Sequence, residues 1–283
     1  MLRRVRGYLL RYDGDAPAAS RLLEQEGYAQ LPGVFTPAEV SAMAEEFDAV
    51  FARYPRDGRA EGVRDPEEDE DFRYEMFNRS PLAQQAIARP EVLAVIEPLL
   101  GADCHVIANT CWRNPPRTEH GHGGGRWHID AGPHVPHDPE IPWDDRIPYP
   151  VFAIGTHIFL RDCPLECGPT GVIPGSHKCG VPPPPDRLDD VDLTCNGIGV
   201  KPLIAKAGDV CLFVSDVWHR RLPTLRGDSG RYFLQVHYAR RDIAQRVRTT
   251  AEVNHVSADA VERAHSDRGR RLIGLHPALF YDG

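Results

Sequence analysis

The stretch Trp127-His128-Ile129-Asp130 carries the strongest chemical signal in the chain. In a strand, side chains at i and i+2 point the same way, so His128 and Asp130 would present an imidazole and a carboxylate side by side. That pair supplies two of the three ligands of a facial 2-His-1-carboxylate centre, which leaves metal positions open for substrates. Alone, a His-x-Asp triplet is weak evidence, and a surface histidine beside a solvated aspartate is the competing reading. Two further segments bear on chemistry. Cys167-Gly168-Pro169-Thr170-Gly171-Val172-Ile173-Pro174-Gly175-Ser176-His177-Lys178 reads as a short strand framed by glycine and proline turns. Ala207-Gly208-Asp209-Val210-Cys211-Leu212-Phe213 reads as a turn and a strand. It leads into Trp218-His219, and Arg231 follows twelve residues after His219. A guanidinium is always charged and forked, which suits a strand-borne arginine to recognising a carboxylate.

Other residues have weaker claims. His120 and His122 form a His-x-His pair of the kind a cupin metal site uses. Gly123-Gly124-Gly125-Arg126 follows where a cupin would place a glutamate, so a glycine-rich loop is the preferred reading. His134 and His137 lie in a Pro- and Asp-rich stretch and are candidates for substrate contact. His177 is read as a local hydrogen-bonder in its turn. Trp127 and Trp218 flank the two histidines and are read first as packing that fixes the imidazoles, with substrate contact second. Arg113 would meet either an anionic substrate or a surface carboxylate.

Positioning these groups requires a scaffold, and its elements change character along the chain. The first third reads as helical. Thr36-Pro37-Ala38-Glu39 has a capping threonine, a proline at the first helical position and a glutamate at the third. Val40, Met43, Ala44, Phe47 and Val50 then recur at helical spacing. A second helix is expected over Glu91–Leu100 with Gly101 as its stop, and the acidic run Asp65 to Asp71 as a surface loop. From about residue 102, short apolar runs between Pro, Gly and Asp clusters predict strands at Cys104–Cys111, Gly125–Ile129, Val151–Leu160, Gly171–Ile173, Val210–Val214 and Arg231–Tyr238. Short strands with turns between them point to a sandwich or barrel, and helices before strands argue against alternating βαβ units. Gly132–Pro150 and Gly180–Gly199 read as lids over a site or as surface excursions. The expected organisation is one domain over 1–283. It has a helical part over 16–101, a β core over 102–240 with insertions 132–150 and 180–199, and a C-terminal extension over 241–283.

Composition narrows the function classes. Hydrophobic residues make up 41% and charged residues 26%, as in an ordinary soluble globular protein. A net charge of -8 argues against a nucleic-acid partner, which would need a basic surface. The basic clusters Arg240-Arg241 and Arg268 to Arg271 read as solvated surface. Seven cysteines, odd in number and scattered, predict a reducing cytoplasm rather than a disulfide framework, and Cys163 with Cys167 lacks zinc-site spacing. The Tyr8-Leu9-Leu10 run within Met1 to Arg11 is too short for a signal peptide, and no later run is long enough to span a membrane.

Taken in order, His-x-Asp, the Gly-Pro…Pro-Gly-Ser-His-Lys segment, Gly-Asp-Val, a histidine and an arginine resemble the phytanoyl-CoA dioxygenase family. The opening resembles it too, with Glu26-Gly27-Tyr28 and Leu31-Pro32-Gly33-Val34-Phe35-Thr36 before the capped helix. The resemblance covers roughly residues 20 to 240. It implies a mainly β (α+β) fold, a double-stranded β-helix or cupin-like jelly roll with helices packed on one face. It implies Fe(II) on His128, Asp130 and His219, with 2-oxoglutarate chelating the iron and its far carboxylate on Arg231. With O₂, oxidative decarboxylation would release succinate and CO₂ and drive attack on a C–H bond of a small-molecule substrate. Related halogenases have a small residue at the carboxylate position, so Asp130 implies hydroxylation or a related oxidation.

The chain also departs from its relatives. Many carry an asparagine between the distal histidine and the arginine, where Arg220-Arg221-Leu222-Pro223-Thr224 stands here. They often have a polar residue about three positions before the first ligand, where Gly125 stands. Asn109, Thr156 and Gln235 are the candidates for further contacts to 2-oxoglutarate. Net acidity and the lack of a phosphate-cradling motif argue against CoA, and the Pro-rich insertions argue for a bulky small molecule. The expectation is a secondary-metabolite tailoring hydroxylase. An acyl-CoA hydroxylase is the alternative within the family. A non-catalytic iron and 2-oxoglutarate sensor, or a zinc hydrolase, are the alternatives outside it.

Overall fold

The computed structural model describes residues 17–57, 71–117, 123–130, 132–248 and 253–278. Helix α1 (Ala18–Glu26) ends where Gly27 turns left-handed at φ 81°, and strand β1 (Tyr28–Leu31) leaves from there. A Cβ at Gly27 would stand 2.7 Å from His177 Nδ1, so this stop needs glycine for its dihedral and for its lack of a side chain. Helix α2 (Pro37–Arg53) begins with the expected capping box. Thr36 Oγ1 accepts from the Glu39 N–H at 3.3 Å, and the Glu39 carboxylate accepts from the Thr36 N–H at 2.8 Å. Its Val40, Met43, Phe47 and Val50 stripe is buried. Strand β2 (Asp71–Tyr74) and helices α3 (Met76–Arg79), α4 (Pro81–Ala86) and α5 (Pro90–Leu100) follow, the last stopping at Gly101 as expected.

Strands then dominate: β3 (His105–Asn114), β4 (Ala153–Phe159), β5 (Thr170–Val172), β6 (Lys201–Pro202), β7 (Val210–Val214), β8 (His219–Arg221) and β9 (Arg231–Ala239). One antiparallel sheet runs β1-β7-β4-β9-β3-β2, and a smaller one runs β6-β5-β8. Neighbours in space that are distant in sequence, on two facing sheets, are the mark of a jelly roll. Helices α6 (Ala258–Arg263) and α7 (Asp267–Leu272) follow the core. Among the described residues no helix is long and apolar enough to cross a membrane, and the seven cysteines are all unbridged.

Strand β9 shows how the large sheet divides space. Tyr232, Leu234, Val236 and Tyr238 join the main core with the helical residues Phe47, Phe51, Phe77 and Ile96. Phe233 turns the other way, into a second cluster with Phe159, Phe213 and Val172 of the small sheet. One face is sealed by helices, and the other looks into the roll.

The two insertions are packed, each in its own way. The 180–199 segment folds onto both tryptophans, with Leu193 and Cys195 buried against Trp127 and Trp218. Trp127 Nε1 donates to Asp190 O at 2.5 Å and Trp218 Nε1 to Val181 O at 2.9 Å. The 132–150 segment packs Val135, Trp143 and Tyr149 against the main core. The segments meet at one point, where a Cβ at Gly180 would fall 2.7 Å from His137 Cε1, and just before it Lys178 Nζ lies 3.0 Å from Asp145 Oδ1.

The expected strand Gly125–Ile129 does not form. Its N–H groups are divided between two partners, Gly125 and His128 bonding to Arg221 and His219 of β8 while Trp127 bonds to Leu188 of the insertion, so only one bridge results. Residues 65–70 of the acidic run, like His120 and His122, lie outside the described residues, and Asp71 begins β2.

Candidate metal and co-substrate site

The bridge between His128 and His219 is where the site starts. Their backbones exchange hydrogen bonds of 3.0 Å in both directions, which puts both side chains on one face with ring centroids 4.2 Å apart. Asp130 is drawn in by its own N–H, which donates to Ser215 O at 3.0 Å. His219 Nε2 and His128 Nε2 lie 3.4 and 3.7 Å from Asp130 Oδ1. The three ligand atoms fall within 4.8 Å of one another, close enough to share one ion.

The imidazoles are prepared for that role. His128 Nδ1 bonds to Arg126 O at 2.8 Å and His219 Nδ1 to Val217 O at 2.9 Å. A carbonyl only accepts, so each Nδ1 carries the proton and each Nε2 offers a lone pair to the cluster. Burial would raise the Asp130 carboxyl, but the His219 and His237 imidazoles outweigh it and keep it well below the usual carboxylate range. Burial likewise lowers His219, and Asp130 overrides it, so His219 titrates above its ordinary value. Two neutral imidazoles and one carboxylate with open positions suit Fe(II). The His128 side chain is 51% exposed and that of His219 6%, so the cluster opens to solvent on the His128 side.

Sequence reasoning missed a third imidazole. His237 Nε2 stands 3.5 Å from Asp130 Oδ2. Alternation along β9 puts His237 on the same face as Arg231, Phe233 and Gln235, but nothing in the sequence brings that face to Asp130. His157, on β4 opposite Gln235, was also missed. Its ring lies 5.2 Å from that of Phe213 and 4.5 Å from that of Phe233, with Thr170 Oγ1 3.5 Å from its Nδ1. Phe213 in turn lies 4.7 Å from the His219 ring, and the Arg231 guanidinium 5.2 Å from the Phe233 ring. A continuous wall therefore runs from His219 through Phe213, His157 and Phe233 to Arg231. Burial and the charge of Arg231 push His157 well below the ordinary imidazole value. Arg231 is buried, and it donates to Asn114 Oδ1 at 3.0 Å and to Gly168 O at 3.2 Å.

Three of the anticipated residues fall on the helix-packed face instead. Asn109 and Thr156 both stand opposite Val236, and Arg113 stands opposite Tyr232. Asn109 accepts from the Phe77 N–H at 2.7 Å and donates to the Gln235 backbone carbonyl at 3.0 Å. The Thr156 hydroxyl is buried without a partner. Arg113 pairs with Asp48 at 3.0 Å and Asp71 at 2.9 Å, the surface-carboxylate reading of its two. For Asn109 and Thr156 the correction is one residue: Thr110 and His157 are the neighbours that face into the roll.

The remaining expectations divide. Gln235 faces inward and bonds to His237 and Trp112. Trp127 and Trp218 anchor the 180–199 segment, as described above. His134 bonds through its N–H and Nδ1 to Asp216, its ring stacked 5.0 Å from Phe152, and Tyr149 Oη donates to the same carboxylate. His177 is not a local hydrogen-bonder. Its Nε2 bonds to Glu24 O at 2.9 Å, tying the turn after β5 to the end of α1.

With this geometry in place, comparison with known proteins gives a consistent answer. The profile of the phytanoyl-CoA dioxygenase (PhyH) family matches residues 23–223, which take in His128, Asp130 and His219. The chain belongs to the phytanoyl-CoA dioxygenase family. As a member it is an Fe(II)/2-oxoglutarate-dependent dioxygenase that uses O₂. No curated protein sequence matches it. Among solved structures it is similar to the epimerase SnoN in complex with Fe³⁺, α-ketoglutarate and nogalamycin RO: TM-score 0.63, 18% identity, 85% of this chain and 91% of that one. It is also similar to the carbocyclase SnoK from nogalamycin biosynthesis: TM-score 0.58, 18% identity, 81% and 86% covered. HygX from Streptomyces hygroscopicus, with nickel, 2-oxoglutarate and hygromycin B bound, gives TM-score 0.58 and 19% identity over 80% and 88% of the chains. At these identities the likeness is one of fold.

Proposed function

We propose that His128, Asp130 and His219 hold Fe(II), that Arg231 takes the far carboxylate of 2-oxoglutarate, and that the enzyme hydroxylates or otherwise oxidises a C–H bond of a small organic metabolite. The observation that carries this reading is the ligand cluster itself, with both Nε2 lone pairs committed toward Asp130 by the carbonyls behind each ring. The wall to Arg231 gives the co-substrate a charged anchor at the end away from the cluster. Iron, 2-oxoglutarate and O₂ together supply the oxidising chemistry when bound. The chain's part is to orient the ligands, fix the co-substrate and limit water, which the Phe213, His157 and Phe233 wall does on one side.

For the substrate we propose a bulky secondary metabolite, met in a cytoplasmic setting. The opening on the His128 side and the packed insertions beside it support a large guest. SnoN and HygX, of the same fold, have been crystallised with nogalamycin RO and hygromycin B. With Asp130 occupying the carboxylate position, oxidation is favoured over halogenation. Stimulation of 2-oxoglutarate turnover by acyl-CoA esters alone would reverse the substrate assignment.

Anaerobic addition of Fe(II) and 2-oxoglutarate to the metal-free protein tests the site. A weak visible charge-transfer band is expected in the wild type and is expected to vanish in His128→Ala. In Arg231→Ala the 2-oxoglutarate concentration needed for the band should rise by about 10- to 100-fold, the value of a charge-assisted hydrogen bond. A folded wild type without the band would refute the assignment.

A further inference from the structure

Three imidazoles face the two oxygens of Asp130, and they divide between them. Oδ1 faces His128 and His219, while Oδ2 faces His237 Nε2 at 3.5 Å. If His237 turned its lone pair to a metal in this cluster, it would take a position that the co-substrates need. What His237 does with that lone pair therefore matters to the whole centre.

A chain of hydrogen bonds answers the question. The indole Nε1 of Trp112 can only donate, and it lies 2.8 Å from the side-chain oxygen of Gln235. That oxygen must accept, which fixes the orientation of the amide. The amide nitrogen then faces His237 Nε2 at 2.8 Å, and it can only donate. So His237 Nε2 accepts, its lone pair is engaged, and the ring proton sits on Nδ1. The strands supply this geometry. Gln235 and His237 are two apart on one face of β9, and Trp112 stands diagonally across on β3, its ring 4.8 Å from that of Phe72.

We propose that Gln235 is a positioning residue that keeps His237 off the metal and so holds the centre at three protein ligands. The proposal rests on the assignment of His128, Asp130 and His219 as the metal site. It gives Gln235 a role toward the iron rather than a contact to 2-oxoglutarate.

The test uses Co(II) added anaerobically to the metal-free full-length protein. The readouts are Co(II) affinity by chelator competition, the visible Co(II) spectrum and 2-oxoglutarate affinity of the Co(II) form. Gln235→Leu releases the His237 lone pair. Co(II) should then bind about tenfold more tightly, with an altered spectrum and 2-oxoglutarate about tenfold weaker, the scale on which residues behind a metal ligand act. Adding His237→Phe to Gln235→Leu should restore the wild-type spectrum. Gln235→Glu is the contrast. A carboxylate accepts from Trp112 and also from His237, whose Nε2 then carries the proton and cannot ligate, so the spectrum should stay as in the wild type. Trp112→Phe is a milder variant that frees the amide to flip, with shifts of about threefold expected in the direction of Gln235→Leu; it decides the matter if Gln235→Leu does not fold. An unchanged spectrum and affinity in the folded variants, or a double variant that fails to revert, overturns the role of Gln235. Failure of the wild type itself to bind Co(II) and 2-oxoglutarate overturns the metal-site assignment instead.

Discussion

Each motif histidine donates its Nδ1–H to the carbonyl two residues upstream, so its Nε2 lone pair, which faces the metal in the proposed assignment, is committed before any ion arrives. The pH dependence of metal binding follows from this and from Asp130. His219 titrates above the ordinary imidazole value of 6.5, because Asp130 outweighs its burial. A protonated ring cannot ligate, so metal affinity should fall on acidification, starting at a pH above 6.5. Mn(II) affinity measured between pH 5.5 and 8.5 checks this, and a flat profile would contradict it. In the metal-free fold the sign is opposite. The raised value stabilises below 6.5, and that contribution is lost as the pH rises through it. Arg231→Lys keeps the charge and loses the fork, so 2-oxoglutarate should bind about tenfold more weakly in a calorimetric titration. The His-x-Asp pair was legible because the two groups are two residues apart, although the strand expected to align them does not form and the His219 bridge and the Ser215 carbonyl place them instead. His237 was not, because its contact with Asp130 exists only once β9 and the His128 segment have been brought together by the fold.

At the scale of elements, the same limit appears as a question of parity. Every residue of β4 is buried, since helices cover one face and the small sheet the other. With no polar edge there is no alternation to reveal which residues face inward. That is why the sequence does not reveal that His157 and Thr110, and not Thr156 and Asn109, face into the roll. The capped start of α2 and the stop of α5 were legible because Thr36, Glu39 and Gly101 act within one turn. Thr156→Val tests the parity. It replaces a hydroxyl that has no partner by a methyl, so thermal unfolding should show stability unchanged or raised by about 1 kcal/mol, with 2-oxoglutarate affinity unaltered. Trp218→Phe removes the bond to Val181 O, and hydrogen exchange within 180–199 should accelerate while the β9 amides keep their protection.

Across the whole molecule, the interior holds imidazoles that must stay neutral. Burial pushes His177 down to about 4, with its Nε2 on Glu24 O and the backbone of Gly27 pressed against the ring. The unfolded chain protonates it near 6.5 and the folded chain does not, so stability is lost as the pH falls from 6.5 toward 4. That one group contributes on the order of 3 kcal/mol over this window. Chemical denaturation of the metal-free protein at pH 7 and pH 5 should show the drop, and His177→Gln should reduce it. The order of parts, helices before a jelly roll, was legible along the chain. The joining of its distant segments was not, because Lys178 with Asp145 and Gly180 with His137 meet only in three dimensions. With the His137 ring resting where any side chain at 180 would stand, a residue larger than glycine there would push the two segments apart. Gly180→Ala is therefore expected to loosen both sides of the contact, with faster hydrogen exchange in 132–150 and 180–199 together.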